Sequence, residues 1–289
     1  MMRNFNEANL TAAVLEKLAT TPDARFKQIA ESLVRHLHDF VREVELTESE
    51  WLTGIEFLTA IGQKCDAKRQ ECILLSDTLG VSMLVDAINH RFPEGATETT
   101  VFGPFYQPNV PEVENGTDIA QGVTGQPTYF SGRICDTEGK PLGGALIDTW
   151  AVDGEGWYDV QLPELTEMQV RARLRTDREG RFAFWTVKPV SYPVPSDGPV
   201  GSMLRAMGRH PYRPAHIHFK ISAPGFRPVI THVFVAGDPY LDSDVVFGVK
   251  NSLVTAFVEY PPGRAPDGRI METPYMVANF EFALAPEGT

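Results

Sequence analysis

The chain has 289 residues and a formal net charge of −12, from 26 Lys and Arg against 38 Asp and Glu. Hydrophobic residues at 43% and charged residues at 22% give enough apolar surface to offset ordering entropy, which excludes a disordered chain. The acidic balance argues against nucleic acid as a partner, and no apolar run approaches the ~18 residues of a membrane span.

In chain order, Thr21-Pro22-Asp23 signals a helix start, after which Phe26, Ile29, Leu33, Leu37, Phe40 and Val44 recur at helical spacing. Thr47 and Glu50 form a capping-box pattern ahead of Trp51, Ile55, Leu58 and Ile61 on one face. Two further helices are predicted over 68–79 and 81–90, and Pro93 with Gly95 ends the helical region. Several separate apolar stripes need more partners than one sheet face provides, which points to a dimer seam over a mere helical layer.

Beyond Gly95 the apolar runs shorten. Segments 128–134, 145–151, 181–187, 216–222 and 229–236 have strand length, with turn signals such as Asp136-Thr137-Glu138-Gly139 between them. The densest basic stretch, 171–181, is interrupted by Asp177 and Glu179 and is no basic tract. The expected fold class is α+β: an N-terminal helical dimerisation domain, 1–98, followed by an antiparallel β-sandwich catalytic domain, 99–289. Cys65, Cys72 and Cys135 fit neither a disulfide framework nor a thiolate zinc site. The first residues lack the apolar stretch of a secretory leader, so a cytoplasmic protein with reduced thiols is expected.

The most informative segment is Arg213-Pro214-Ala215-His216-Ile217-His218-Phe219. On a strand, His216 and His218 project to one side and form a metal chelate, whereas Ile217 and Phe219 enter a core. The bland alternative is a chance pair of exposed rings. Further ligands have two sources: a carboxylate, Asp148 or Asp153, or the phenols of Tyr158 and Tyr192 in Gly/Pro-rich loops. Spacing alone does not choose between them.

These stretches resemble the intradiol ring-cleavage dioxygenases. The resemblance is carried by Pro141-Leu142-Gly143-Gly144-Ala145-Leu146-Ile147-Asp148-Thr149-Trp150, Gly156-Trp157-Tyr158, Tyr192-Pro193-Val194-Pro195, the His-x-His segment and Val235-Ala236-Gly237-Asp238-Pro239-Tyr240. The front half is similar to the helical domain of the catechol-type branch. Within the family, 82–89, 99–106 and 240–250 look most like the hydroxyquinol-cleaving branch.

The resemblance implies one mononuclear non-haem Fe(III) per subunit, bound by Tyr158, Tyr192, His216 and His218. It implies that hydroxyquinol (benzene-1,2,4-triol) is cleaved by O2 between its adjacent hydroxylated carbons, giving 3-hydroxy-cis,cis-muconate, a tautomer of maleylacetate. Tyr192 would also act as the base, and Arg213 would stabilise charge developing on the ring. His232, where catechol enzymes carry Gln, would orient oxygen or substrate; otherwise it is a core histidine. Leu74, Asp77, Val101, Phe102, Gly103, Pro104, Phe105, Val194, Pro195 and Val246 would form the substrate walls. Asp77 would accept a hydrogen bond from the third hydroxyl, or else be a solvated helix residue. A homodimer through the N-terminal helices, with a lipid in its seam, is also implied. The competing expectations are a catechol or chlorocatechol 1,2-dioxygenase and, in another class, a non-catalytic β-sandwich binding protein.

Overall fold

Asp23 accepts a hydrogen bond from the Phe26 amide at 2.8 Å and so caps the helix that the Thr-Pro-Asp signal announces. The capping box forms as well: the Thr47 amide donates to Glu50 Oε2 at 2.9 Å, and the Glu50 amide to Thr47 Oγ1 at 3.3 Å. The computed structural model describes residues 4–66, 69–162, 165 and 167–288. By compactness the chain divides into two units, Met1–Ala60 and Ile61–Thr289.

The first unit contains α1 (Leu10–Leu18), α2 (Ala24–Glu43) and most of α3 (Glu48–Lys64). α1 packs on α2, where Thr11 Oγ1 meets His38 Nδ1 at 2.9 Å and Arg42 also reaches Thr11. The expected stripe on α2 is present but uncovered in the chain. Phe26, Ile29, Leu33, Leu37 and Phe40 all stand about half exposed.

The second unit takes the last turn of α3 and then α4 (Glu71–Thr78) and α5 (Val81–Asn89), which therefore group with the strands. Lys68, where the sequence pattern starts the third predicted helix, lies outside the described residues. The strands are β1 (Pro127–Asp136), β2 (Leu146–Ala151), β3 (Arg171–Arg175), β4 (Arg181–Val187), β5 (Tyr192–Pro193), β6 (Tyr212–Arg213), β7 (His216–Ser222) and β8 (Val229–Val235). They continue with β9 (Val254–Thr255), β10 (Val258–Tyr260), β11 (Gly263–Arg264), β12 (Ile270–Met271) and β13 (Tyr275–Leu284), and α6 (Pro199–Ala206) lies between β5 and β6.

One sheet has the order β10-β13-β1-β4 and the other β3-β2-β7-β8-β9. Between them lies a core of Phe130, Phe184, Phe219, Phe282, Ile147, Ile217 and Ile221, all essentially inaccessible to water. Pairing is mostly antiparallel, but β1 pairs with β13, and β8 with β9, in parallel. β1 and β13 are far apart in sequence, so no hairpin dictates their direction. β13 and β3 were absent from the sequence-based strand set. In β3 the arginines explain the omission, because each has its own acid: Arg171 with Asp159, Arg173 with Asp148 and Arg175 with Glu112.

Candidate active site

β7 is a central strand, bonded to β2 on one side and β8 on the other. Its alternation sends Ile217, Phe219 and Ile221 into the inter-sheet core and His216 and His218 to the sheet's outer face. Register then fixes the neighbours of His218: Trp150 on β2 and His232 on β8 lie directly opposite it. The Trp150 indole stacks on the His218 ring at 4.6 Å, and His232 stacks on His216 at 4.6 Å.

Two loops bring phenols over this face. Gly156, at φ +92°, turns the chain ahead of Tyr158, and a Cβ there would come within 3.3 Å of Tyr192 Cβ. Tyr192 is held by the short β5–β6 ladder, where it pairs with Arg213.

The four donor atoms converge. Tyr158 Oη lies 3.0 Å from Tyr192 Oη and 2.9 Å from His218 Nε2, and the two Nε2 atoms of His216 and His218 are 3.1 Å apart. Ligands at right angles on one ion, with bonds of about 2.0–2.2 Å, stand about 3 Å apart, so the set fits a single small cation. His216 Nδ1 donates to the Pro214 carbonyl at 2.7 Å, which leaves its Nε2 lone pair facing the cluster.

Burial pushes both phenols above their ordinary pKa, Tyr158 well above it, and drives the three imidazoles well below theirs. A metal ion offsets this cost, because it favours the phenolate and needs a neutral imidazole. His216, His218 and His232 also form a three-imidazole group whose donor atoms lie within 4.8 Å of one another.

The carboxylates weighed as ligands are committed elsewhere. Asp148 binds Arg173 and the Tyr106 hydroxyl, and Asp153 Oδ1 caps the turn by accepting the Glu155 and Trp157 amides at 2.9 Å.

Arg213 is 4% exposed. Its guanidinium lies 3.2 Å from His216 Nε2 and 3.3 Å from His232 Nδ1, while Asp244 holds it at 3.2 and 3.3 Å. Burial pulls its pKa down, but Asp244 and the two phenols outweigh burial and raise it. His232 is wholly buried, wedged between Arg213 and the two other imidazoles. Asp244 was missed from the sequence; nothing in its local pattern marks it as the partner of an arginine thirty-one residues earlier.

A cavity of about 700 Å³ opens above the cluster. Leu74 and Asp77 line it from α4, Val101, Gly103, Pro104 and Phe105 from the segment after the helices, and Val194, Pro195 and Val246 from the far side. Tyr192 and Arg213 reach it too, whereas Tyr158, His216 and His218 sit behind them. One expected wall is corrected: Phe102 does not line the cavity. Its ring turns away to pack on Tyr106 at 4.8 Å and on Trp150 at 5.9 Å. Asp77 is 7% exposed, and burial raises its pKa against the lowering effects of Ser82 and Arg213. Arg69 and Glu71 also line the cavity and were not anticipated.

Gly103 has φ +75°, and a Cβ there would meet His218 Cε1 at 3.2 Å. Gly103→Ala is therefore expected to combine left-handed strain of about 1–2 kcal/mol with displacement of His218. Thermal denaturation and metal analysis of the variant would check this, both falling below wild type.

The family model for Dioxygenase matches residues 101–284, and that for Catechol dioxygenase N terminus matches 23–97. The chain is 54% identical over 262 residues to a 6-chlorohydroxyquinol 1,2-dioxygenase of Cupriavidus pinatubonensis, covering 91% of this chain and 95% of that one. It is 50% identical to a hydroxyquinol 1,2-dioxygenase of Rhodococcus opacus, covering 97% and 94%. Among solved structures, a hydroxyquinol 1,2-dioxygenase from Pseudomonas putida DLL-E4 superposes with a TM-score of 0.92 at 52% identity, covering 97% of this chain and 99% of that one. With its buried metal-binding histidines and its cavity, the chain belongs to the intradiol ring-cleavage dioxygenases, enzymes that open a small aromatic diol with O2.

Proposed function

We propose that this enzyme cleaves hydroxyquinol between its adjacent hydroxylated carbons, giving 3-hydroxy-cis,cis-muconate, with one Fe(III) per subunit held by Tyr158, Tyr192, His216 and His218. Two hard anionic phenolates suit a ferric ion and leave a modest residual charge for the diolate. The tyrosine-containing set is favoured over three histidines by its tighter spacing, 2.9–3.1 Å between neighbouring donors, against 4.8 Å across the three imidazoles. When bound, ferric iron neutralises the diolate and draws electron density from its ring, so that the ring reacts with O2.

The chain's own groups do the rest. Tyr192 is the one member of the four that lines the cavity, so its phenolate oxygen takes the proton of the arriving diol. Tyr158 stays buried. Arg213 stabilises negative charge on the ring, and His232, in contact with it, keeps the guanidinium oriented beside the bound oxygen and substrate. The apolar walls Leu74, Val101, Val194 and Val246 exclude water.

Asp77 carries the choice of substrate. A buried carboxylate lining the cavity is satisfied by the third hydroxyl of hydroxyquinol and left without that partner by catechol. The names of relatives at 50% identity or more support the same choice. Losing a hydrogen bond to a charged group costs about 1.5–3 kcal/mol, so Asp77→Ala is expected to lower kcat/KM on hydroxyquinol roughly ten- to a hundredfold. Catechol should be spared. Specificity constants for both substrates on both proteins are the test, and an equal fall would make Asp77 a fold residue. Catechol or chlorocatechol as preferred substrate is the competing reading, favoured by those same apolar walls.

Residues 1–98 act as the dimerisation domain and 99–289 as the catalytic domain, the half-exposed α2 stripe being covered by a second copy with a lipid in the seam. Leu33→Glu is expected to give a monomer by light scattering, and native mass spectrometry of the wild type would detect the lipid. A cytoplasmic location fits the three free thiols. Among the described residues, no helix is long and apolar enough to cross a membrane.

A further inference from the structure

Glu71 is completely buried, yet no step of the reaction uses it. Its Oε1 accepts the Val200 amide at 3.2 Å, in the first turn of α6, and Oε2 lies 2.9 Å from Arg69 Nε and 2.8 Å from Arg69 Nη2. Arg69 reaches Asp197 with its other nitrogen, and Lys64 holds the same carboxylate at 2.9 Å. The Arg69 amide is itself fixed by Asp66 Oδ1 at 2.7 Å.

The chain of charges joins two walls of one cavity. From Glu71, α4 runs on to Leu74 and Asp77; from Asp197, the chain runs back through Pro195 and Val194 to Tyr192. Gly198 shows how closely the two sides meet, because a Cβ there would lie 2.4 Å from Glu71 Oε1 and 2.7 Å from Arg69 Nη2. A buried ion pair is a poor means of gaining stability, since its desolvation cost rivals its attraction; fixed geometry is the better-attested return. The pairing is strong enough to hold Asp197 at a pKa of about 2 although its side chain is largely exposed.

We infer that the Glu71–Arg69–Asp197 chain is a positioning device that sets the spacing between the α4 wall and the Tyr192–Pro195 wall, and hence the affinity for the aromatic diol. This rests on the proposed reading of the cavity as the substrate site, but not on hydroxyquinol being the preferred substrate. Loosening it widens the gap across the ring at Val194 and Pro195, while the ladder with Arg213 keeps Tyr192 in place.

The test compares Arg69→Met, Glu71→Gln and Asp197→Asn with the wild-type holoenzyme, using catechol as the probe. The anaerobic Kd by calorimetry and the KM should rise about fivefold or more in the first two and about twofold in the third, with kcat and iron content near wild type. Arg69→Lys should recover part of the loss, because an ammonium can still bridge one carboxylate. Asp197 is exposed enough for its variant to fold, so it carries the test if Glu71→Gln does not. Unchanged Kd and KM, even with a lowered Tm, would overturn the inference and leave the chain as scaffold. Preference for hydroxyquinol is judged on the wild type alone, so the two ideas fail separately.

Discussion

Tyr158→Phe and His218→Ala are each expected to yield protein that has lost most of its iron and its activity. With the proposed ligand set, each substitution would remove a donor that its neighbours, at 2.9–3.1 Å, could not replace. Losing an outer partner of a ligand costs about 10–100-fold in metal affinity, and losing the ligand itself costs more. His232→Ala is the control, expected to keep its iron, because that imidazole stands outside the 2.9–3.1 Å contacts that link the four donors. Metal analysis of the three purified variants checks this. Iron retained in Tyr158→Phe and lost from His232→Ala would move the ion to the three-histidine group.

Arg213→Lys is expected to be nearly as damaging, at constant metal content. The guanidinium meets Asp244, His216 and His232 at once at 3.2–3.3 Å, with all three nitrogens engaged and Nη2 shared between Asp244 and His232. An ammonium on a flexible stem cannot satisfy three partners in fixed directions and still face the ring. Loss of one preorganised charge-stabilising donor typically costs 10²–10³ in kcat, so turnover should fall by about a hundredfold or more. Stopped-flow turnover and iron content, measured together, separate this from structural damage. Loss of metal alongside activity would show Arg213 holding the histidines in place rather than acting on the substrate.

Much of this site was legible in the sequence because strand geometry is local. The period of two on β7 alone sends both histidines to one face, and the capping box at Thr47 and Glu50 forms as its spacing dictates. What separates the phenols from the carboxylates is not local. Asp148 and Asp153 are bonded to Arg173, Tyr106 and backbone amides that only the fold brings to them. Phe102 was misplaced for a related reason: in an irregular segment no period says which neighbour faces the cavity, and the aromatic surface of Tyr106 and Trp150 captured its ring. Arg69 and Glu71 escaped notice because a charged pair at a helix start reads as solvated until burial is known.

The most direct test of the account is a single turnover of the anaerobic iron enzyme loaded with hydroxyquinol and then exposed to ¹⁸O2. The expected product is 3-hydroxy-cis,cis-muconate or its tautomer maleylacetate, cleaved between the two adjacent hydroxylated carbons, with ¹⁸O in the new carboxyl groups. Cleavage beside those carbons, to an aldehyde-bearing product, or recovery of intact hydroxyquinol while catechol is consumed, would contradict it.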